Sequence, residues 1–263
     1  MATVALLHPG AMGARVGGEL VAAGHTVRWW SDGRSDRTHE RAGIEGLTGV
    51  PDVAALVHGA DVVLSVLPPQ AALPVAEAVA ETGFGGTYVD ANPLSPGTLD
   101  KVRAVVEGAG ATLVDAGIVG PPPADGHRTH LYLAGRPDLV AAFAGLLPGP
   151  RLVPVVVGER VGQASAAKQA YALVNKGRMV LAAMAAHLAD AHGVGAVLAA
   201  EHGRRDAALL AELPELRAGL VEVGWRWAPE LDELAAALAD TGMDPAAVQG
   251  LADRLRAMSG PAD

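Results

Sequence analysis

Val4-Ala5-Leu6-Leu7-His8-Pro9-Gly10-Ala11-Met12-Gly13, followed by Gly24-His25 and the apolar run Thr26–Trp30, decides the reading of this chain. The order of apolar run, glycine turn, Ala-rich stretch and second apolar run predicts strand, turn, helix and strand. Glycines in such a turn let backbone amides approach a pyrophosphate, and the helix N-terminus then favours the anion. His8 stands where the first glycine of the usual G-x-G-x-x-G falls, which leaves Gly10-x-x-Gly13. A glycine turn alone serves any tight strand–helix connection. Its place between strand and helix makes it a dinucleotide site, with Gly10, Ala11, Met12 and Gly13 around the phosphates.

The residues after the second strand bear on which dinucleotide is bound. NAD-selective folds carry an acidic residue at the end of that strand, accepting the ribose 2′-hydroxyl. Ser31 holds that position here, with Asp32-Gly33-Arg34-Ser35 behind it. Arg34 suits a 2′-phosphate, and the hydroxyls of Ser31 and Ser35 are placed to donate to it. The expectation is NADP(H) in preference to NAD(H). A solvated Asp32-Gly33 turn, or Asp32 as a displaced ribose ligand, are the alternatives.

Composition narrows the function classes. The chain has 263 residues, a net charge of −9 and no cysteine. The acidic balance argues against a nucleic-acid partner, and the missing thiols exclude disulfides and cysteine chemistry. Half the residues are hydrophobic, but no uninterrupted apolar run approaches the roughly 18 residues of a membrane helix. With a strand at the N-terminus and no basic leader, the expectation is a soluble cytoplasmic protein without a membrane partner. The nine histidines show no H-E-x-x-H or H-x-H spacing, so no metal is assigned.

Apolar strands and helical periods alternate to about residue 155. After a short Ile44–Leu47 segment, helices are expected near Asp52–His58, Ala71–Thr82 and, following Asn92-Pro93-Leu94-Ser95-Pro96, to about Gly108. Strands are expected at Asp61–Leu67, Gly86–Ala91, Thr112–Val119, His130–Ala134 and Leu152–Val157. Such alternation calls for a largely parallel sheet covered by helices. Beyond Gly158 the texture becomes all-helical, at Gly162–His192, Val194–Leu213, Leu216–Leu238 and Pro245–Met258, with Ser259–Asp263 as a frayed tail. The expected fold class is α/β: a nucleotide-binding domain over 1–158 and an all-α domain over 159–263. A small helical half rarely completes its own core, so a homodimer through the helical halves is expected.

Only three of the 20 basic residues are lysines: Lys101, Lys168 and Lys176. Lys168, Tyr171 and Asn175 recur at i, i+3 and i+7, one polar stripe on the long helix, with Ala172 leaving room between them. A partly buried lysine there can have its pKa lowered into the range useful for proton transfer. An arbitrary helical lysine snorkels to solvent; beside a dinucleotide fold, Lys168 becomes the candidate catalyst.

Four segments now stand in order: the H-P-G-A-M-G turn with Gly24-His25, Asp90-x-Asn92, Asp115-Ala116-Gly117-Ile118-Val119-Gly120 and Gly162-x5-Lys168. They resemble the four signatures of the β-hydroxyacid dehydrogenases, the superfamily of 6-phosphogluconate and 3-hydroxyisobutyrate dehydrogenases. Lys168–Ala172 and Gly224–Leu231 resemble a subgroup with a C-terminal domain of unknown function. The resemblance implies a Rossmann-type N-terminal sheet and an oxidoreductase of a small hydroxy acid or ketone. It makes Lys168 the general acid/base; Tyr171 and Asn175, from the same helix face, are expected to orient the substrate. It sets Asn92 beside the nicotinamide and Leu67 and Pro68 along the cofactor; Ile118, Val119, Gly120 and Trp227 are expected around the substrate.

Departures from the pattern open alternatives. The family's carboxylate-gripping Ser-Gly-Gly is Val119-Gly120-Pro121 here, its asparagine after the lysine is Ala172, and its late Lys-Asp pair has no counterpart near Trp227–Glu230. An imine reductase on the same scaffold and a non-catalytic NADPH-binding protein are the other readings. Retained Lys168 favours C–O over C=N chemistry.

Overall fold

The computed structural model describes residues 1–147, 149–205 and 207–258, with side chains omitted for 202–223. The expected tail, Ser259–Asp263, lies outside the described residues. The chain divides into two units, Met1–Gln169 and Ala170–Asp263.

The first unit is built on β1 (Thr3–Leu6), α1 (Ala11–Ala22), β2 (Thr26–Trp30), α2 (Asp36–Ile44), β3 (Thr48–Val50) and α3 (Val53–Val57). It continues through β4 (Val62–Ser65), α4 (Pro69–Ala80), β5 (Thr87–Asp90), α5 (Pro96–Gly108), β6 (Thr112–Val119), β7 (Thr129–Ala134), α6 (Pro137–Ala144) and β8 (Leu152–Gly158). The eight strands form one sheet in the order β3-β2-β1-β4-β5-β6-β7-β8. Every pairing is parallel except β6 with β7. The first six positions follow the doubly wound Rossmann order, whose crevice opens at the carboxyl ends of the strands where the order reverses.

Strand alternation explains why both faces are covered. Val4 and Leu6 pack with Val62, Leu64 and Val89 on one face. Ala5 and Leu7 pack with Val63, Tyr88 and Leu113 on the other. With side chains alternating in direction, near-continuous apolar strands need a helical layer on each side. Helix starts follow local chemistry. Asp52 caps α3 by accepting from the Ala55 amide at 2.7 Å. Ser95 caps α5 through the Thr98 amide at 3.2 Å, and Pro96 fills a first-turn position that needs no N–H donor.

Two helices escape the periodicity reading. α2 buries only Thr38 and Ala42, a stripe too narrow to register among its charges, and the strand near the expected Ile44–Leu47 segment is Thr48–Val50 instead. α6 is a two-turn helix burying Val140 and Phe143.

α7 (Gln163–Ala191) begins in the first unit and continues into the second, followed by α8 (Gly195–Arg205), α9 (Ala207–Asp240) and α10 (Ala246–Met258). α9 is continuous where the sequence predicts a break between Leu213 and Leu216, so Pro214 is accommodated within a helix dominated by strong helix formers. The second unit has its own core, in which Val180, Leu231, Leu234, Val248 and Leu255 meet. Among the described residues no helix is long and apolar enough to cross a membrane.

Candidate cofactor and active site

The expected functional residues of the first unit fall along the carboxyl edge of its sheet. From β2 across β1, β4 and β5 to β6 is four strand spacings, or about 19 Å at roughly 4.8 Å each. At the β1 end, Gly10 opens α1 with no side-chain cap, leaving the first-turn amides without a side-chain acceptor. A Cβ on Gly13 would stand 2.3 Å from the His8 carbonyl oxygen, so only glycine permits this close turn. Two buried polar atoms here lack protein partners, His8 Nδ1 and Arg34 Nε. Uncapped amides, a glycine cradle and unpartnered nitrogens are what a dinucleotide phosphate would satisfy.

Arg34 lies with its guanidinium 4.8 Å from the centre of the Trp30 ring. Arg41, on α2, reaches the Pro9 carbonyl at 3.4 Å. Sequence reasoning missed Arg41, because α2 itself was not read; seven residues after Arg34, it was a second basic group on the same side. One expected contact is corrected. The Ser31 hydroxyl donates to the Val50 carbonyl at 2.9 Å, closing the β2–β3 edge, and its proton is spent within the sheet. Ser35 pairs with Thr38 across hydroxyls 3.1 Å apart at the start of α2.

At the centre of the edge, Asn92 is 1% exposed. Its Oδ1 accepts from the Leu67 amide at 2.5 Å, and its Nδ2 donates to Ser65 Oγ at 2.8 Å and Asp90 Oδ2 at 2.9 Å. Both amide hydrogens are consumed, so Asn92 braces the ends of β4 and β5 rather than offering a donor to a nicotinamide. Leu67 places its side chain in the core, and Pro68 stands at the N-cap of α4.

The β6 end carries Lys168. Asp115 is fully buried and accepts from the amides of Gly162 and Ala164 at 2.8 Å each, from the Ser165 amide at 3.2 Å and from Ser165 Oγ at 2.5 Å. One carboxylate thus caps α7, a favourable place for negative charge. Ser165, which lacks the strand–turn setting of a hydrolase nucleophile, is part of this cap. Gln169 Nε2 donates to the Pro93 carbonyl at 3.1 Å. A Cβ on Gly117 would lie 2.8 Å from Lys168 Cβ and 2.9 Å from the Ala164 carbonyl oxygen. The bare Gly117 backbone lets α7 lie against β6, with Lys168 half-buried at that contact. Gly117→Ala should therefore displace α7 and cost about 1–3 kcal/mol by overpacking, read as a lower urea midpoint. An unchanged midpoint would mean the helix has room to shift.

Other substrate assignments are revised. Ile118 packs in the core with Leu131, Val119 is buried, and Gly120 at φ +118° makes the tight exit from β6. Tyr171 and Asn175 lie on the part of α7 belonging to the second unit, where Tyr171 is exposed. Trp227 has the Lys176 ammonium 5.2 Å from its ring centre, and Lys176 pairs with Glu230. Trp227 thus serves a buried ion pair of the helical unit, which the sequence reading did not find.

Two buried groups titrate away from their ordinary values. Burial, and next the charges of Arg34 and Arg41, lower His8 from 6.5 to about 4. Burial above all, against hydrogen bonds from Asn92 and with Asp115 alongside, raises Asp90 from 3.8 to about 7. Their effects on stability oppose each other. The His8 contribution is present above pH 6.5 and lost as pH falls through about 4. The Asp90 contribution is present below pH 3.8 and lost as pH rises through about 7. Asp90→Asn should make the unfolding free energy rise more steeply with pH between 4 and 7, whatever its absolute cost. Urea unfolding at several pH values with an unaltered slope would show that Asp90 stays ionised throughout.

The sequence comparisons agree with this geometry. Residues 3–147, more than half of the chain, match the NAD binding domain of 6-phosphogluconate dehydrogenase. The chain belongs to that family. Residues 189–258 match a domain of unknown function, DUF1932. None of the curated proteins matches the chain in sequence.

Among solved structures, the 3-hydroxyisobutyrate dehydrogenase of Mycobacterium tuberculosis, determined with L-serine, superposes with a TM-score of 0.77 at 21% identity, over 98% of this chain and 93% of its own. A conserved protein of unknown function, described as similar to 3-hydroxyacid dehydrogenases, gives 0.69 at 23% identity over 97% of both chains. An imine reductase of Streptomyces aurantiacus gives 0.62 at 19% identity, over 97% of this chain and 93% of its own. These likenesses show the fold, which is that of the hydroxyacid dehydrogenases.

Proposed function

We propose that this family member is an NADP(H)-dependent dehydrogenase or reductase acting on a small hydroxy acid or ketone, with Lys168 as general acid/base. The observation that carries the reading is the placement of Lys168 against Gly117, next in sequence to the Gln169 whose side chain donates to the Pro93 carbonyl. The adenosine end would be held by the Gly10–Gly13 turn and Arg34, and the ring end would follow the Leu67-Pro68 segment that Asn92 braces. When bound, the nicotinamide supplies or accepts the hydride. Lys168 as ammonium polarises and protonates a carbonyl oxygen; as the neutral amine it takes the hydroxyl proton in the reverse direction. Tyr171 and Asn175 orient the substrate from the same helix.

Turnover with NADP⁺ or NADPH across panels of small hydroxy acids, ketones and cyclic imines tests the reading. Activity on the C–O compounds is expected. Activity confined to imines supports the imine reductase alternative, which the Val119-Gly120-Pro121 departure favours. NADPH binding without turnover on any compound supports a non-catalytic binder.

Cofactor choice rests on Arg34. Its charge-assisted contacts to a 2′-phosphate are worth roughly 1.5–3 kcal/mol. Arg34→Ala should weaken NADPH by that amount in a nicotinamide-fluorescence titration and leave NADH nearly unchanged. Equal weakening of both cofactors would assign Arg34 to the shared part of the molecule.

The helical unit is proposed to pair with a second copy. Val174, Leu181, Met184 and Leu188 are exposed along α7, an apolar stripe at helical spacing that a twofold partner would cover. Obligate interfaces of this kind bury about 2,000 Å² or more. Sedimentation at micromolar concentration should show twice 26.6 kDa. A monomer alone would contradict the pairing.

A further inference from the structure

We propose that His8 is a specificity-determining ligand of the cofactor, forming with Arg34 and Arg41 a three-sided cradle for the 2′-phosphate of NADP(H). The inference rests on the NADP(H) reading above and adds a residue that the ordinary fingerprint cannot supply, since its first position is glycine. The side chain at position 8 is not turned away from the loop. Its Cδ2 and Nε2 lie 3.3 and 3.4 Å from where a Gly10 Cβ would be, so the imidazole fills the mouth of the turn at the head of α1.

Three further observations converge there. His8 Nδ1 and Arg34 Nε are both buried without a partner. The charged groups facing His8 come from two elements, Arg34 in the β2–α2 connection and Arg41 on α2. Arg41 also reaches the carbonyl of Pro9, the next residue in the turn. Two guanidinium charges act on this histidine, with no carboxylate among the charges acting on it, and they repel one another until an anion arrives. A phosphate dianion relieves that repulsion, accepts from an imidazole N–H, and stabilises the protonated imidazole relative to the neutral ring. The pyrophosphate needs none of this, because the first-turn amides of α1 serve it. The cradle therefore discriminates for the group that NADPH has and NADH lacks.

The test uses the wild-type protein, His8→Gly, which restores the fingerprint glycine, and His8→Gln. Titrations with NADPH, with 2′,5′-ADP (2′-phosphate, no pyrophosphate) and with NADH separate the two phosphate sources. His8→Gly should lose about tenfold or more in affinity for NADPH and 2′,5′-ADP and less than about twofold for NADH. A second measurement does not depend on the variant folding well. The His8 imidazole resonance, identified by its absence in His8→Gln, should titrate near 4 in the free protein. It should move up by about one unit or more with NADPH or 2′,5′-ADP, but not with NADH. Unchanged NADPH affinity in His8→Gly together with an unmoved resonance overturns the cradle while leaving the NADP(H) reading intact. An equal loss or shift with NADH assigns His8 to the pyrophosphate and overturns it as well. Failure of wild-type protein to bind NADPH overturns both.

Discussion

Lys168→Met is expected to lower kcat by about 10²–10⁴-fold on any genuine substrate, the range a positioned general acid/base contributes. NADPH affinity should stay within about twofold, since the lysine is not asked to hold the cofactor; an effect on kcat without one on cofactor binding marks a group acting at the reacting atoms. The substitution keeps the length and most of the apolar stem that lies against Gly117, so α7 should remain in place. Steady-state turnover and a fluorescence titration on the same preparation check both halves. An unchanged kcat would remove Lys168 as the proton donor and move that role to Tyr171.

Asp115→Ala is expected to be the most destabilising single change near the site, at about 3 kcal/mol or more. The variant strips the acceptor from three backbone amides and one hydroxyl at the head of α7. Each buried donor left unsatisfied costs about 1–3 kcal/mol. The sum is offset because Asp115 is itself held in an environment that raises its pKa, chiefly by burial, so its removal also relieves a desolvated charge. Asp115→Asn, retaining one oxygen, should fall between wild type and alanine in urea unfolding. If alanine left stability unchanged, α7 would be anchored by Gln169 and packing alone.

The sheet was legible because its signals are local. Apolar runs of four to eight residues, each bounded by glycine, proline or asparagine, placed strands such as Thr26–Trp30 and Thr112–Val119 with the same bounds as the structure. The long α7 announced itself by alanine content. α2 did not, since two buried side chains cannot mark a period among charged neighbours. With α2 unread, Arg41 and its approach to the His8 turn were invisible.

The site residues differ in how far local sequence signals them. Lys168 could be singled out by helix spacing and scarcity. That Asn92 would be consumed as a brace depended on Ser65 and Leu67, 27 and 25 residues away, and no local pattern reports such pairings. Ile118 and Trp227 were read as substrate walls from motif position; whether an apolar side chain faces a ligand or the core is a question of packing, and both are taken up by interactions within their own unit.

The most direct test of the central claim is the affinity of the wild-type protein for its two possible cofactors, followed by nicotinamide fluorescence at fixed salt and pH. With Arg34 and its neighbours at the end of β2, NADPH should bind at least about tenfold more tightly than NADH, the equivalent of roughly 1.4 kcal/mol. Equal affinities, or a preference for NADH, would contradict the account.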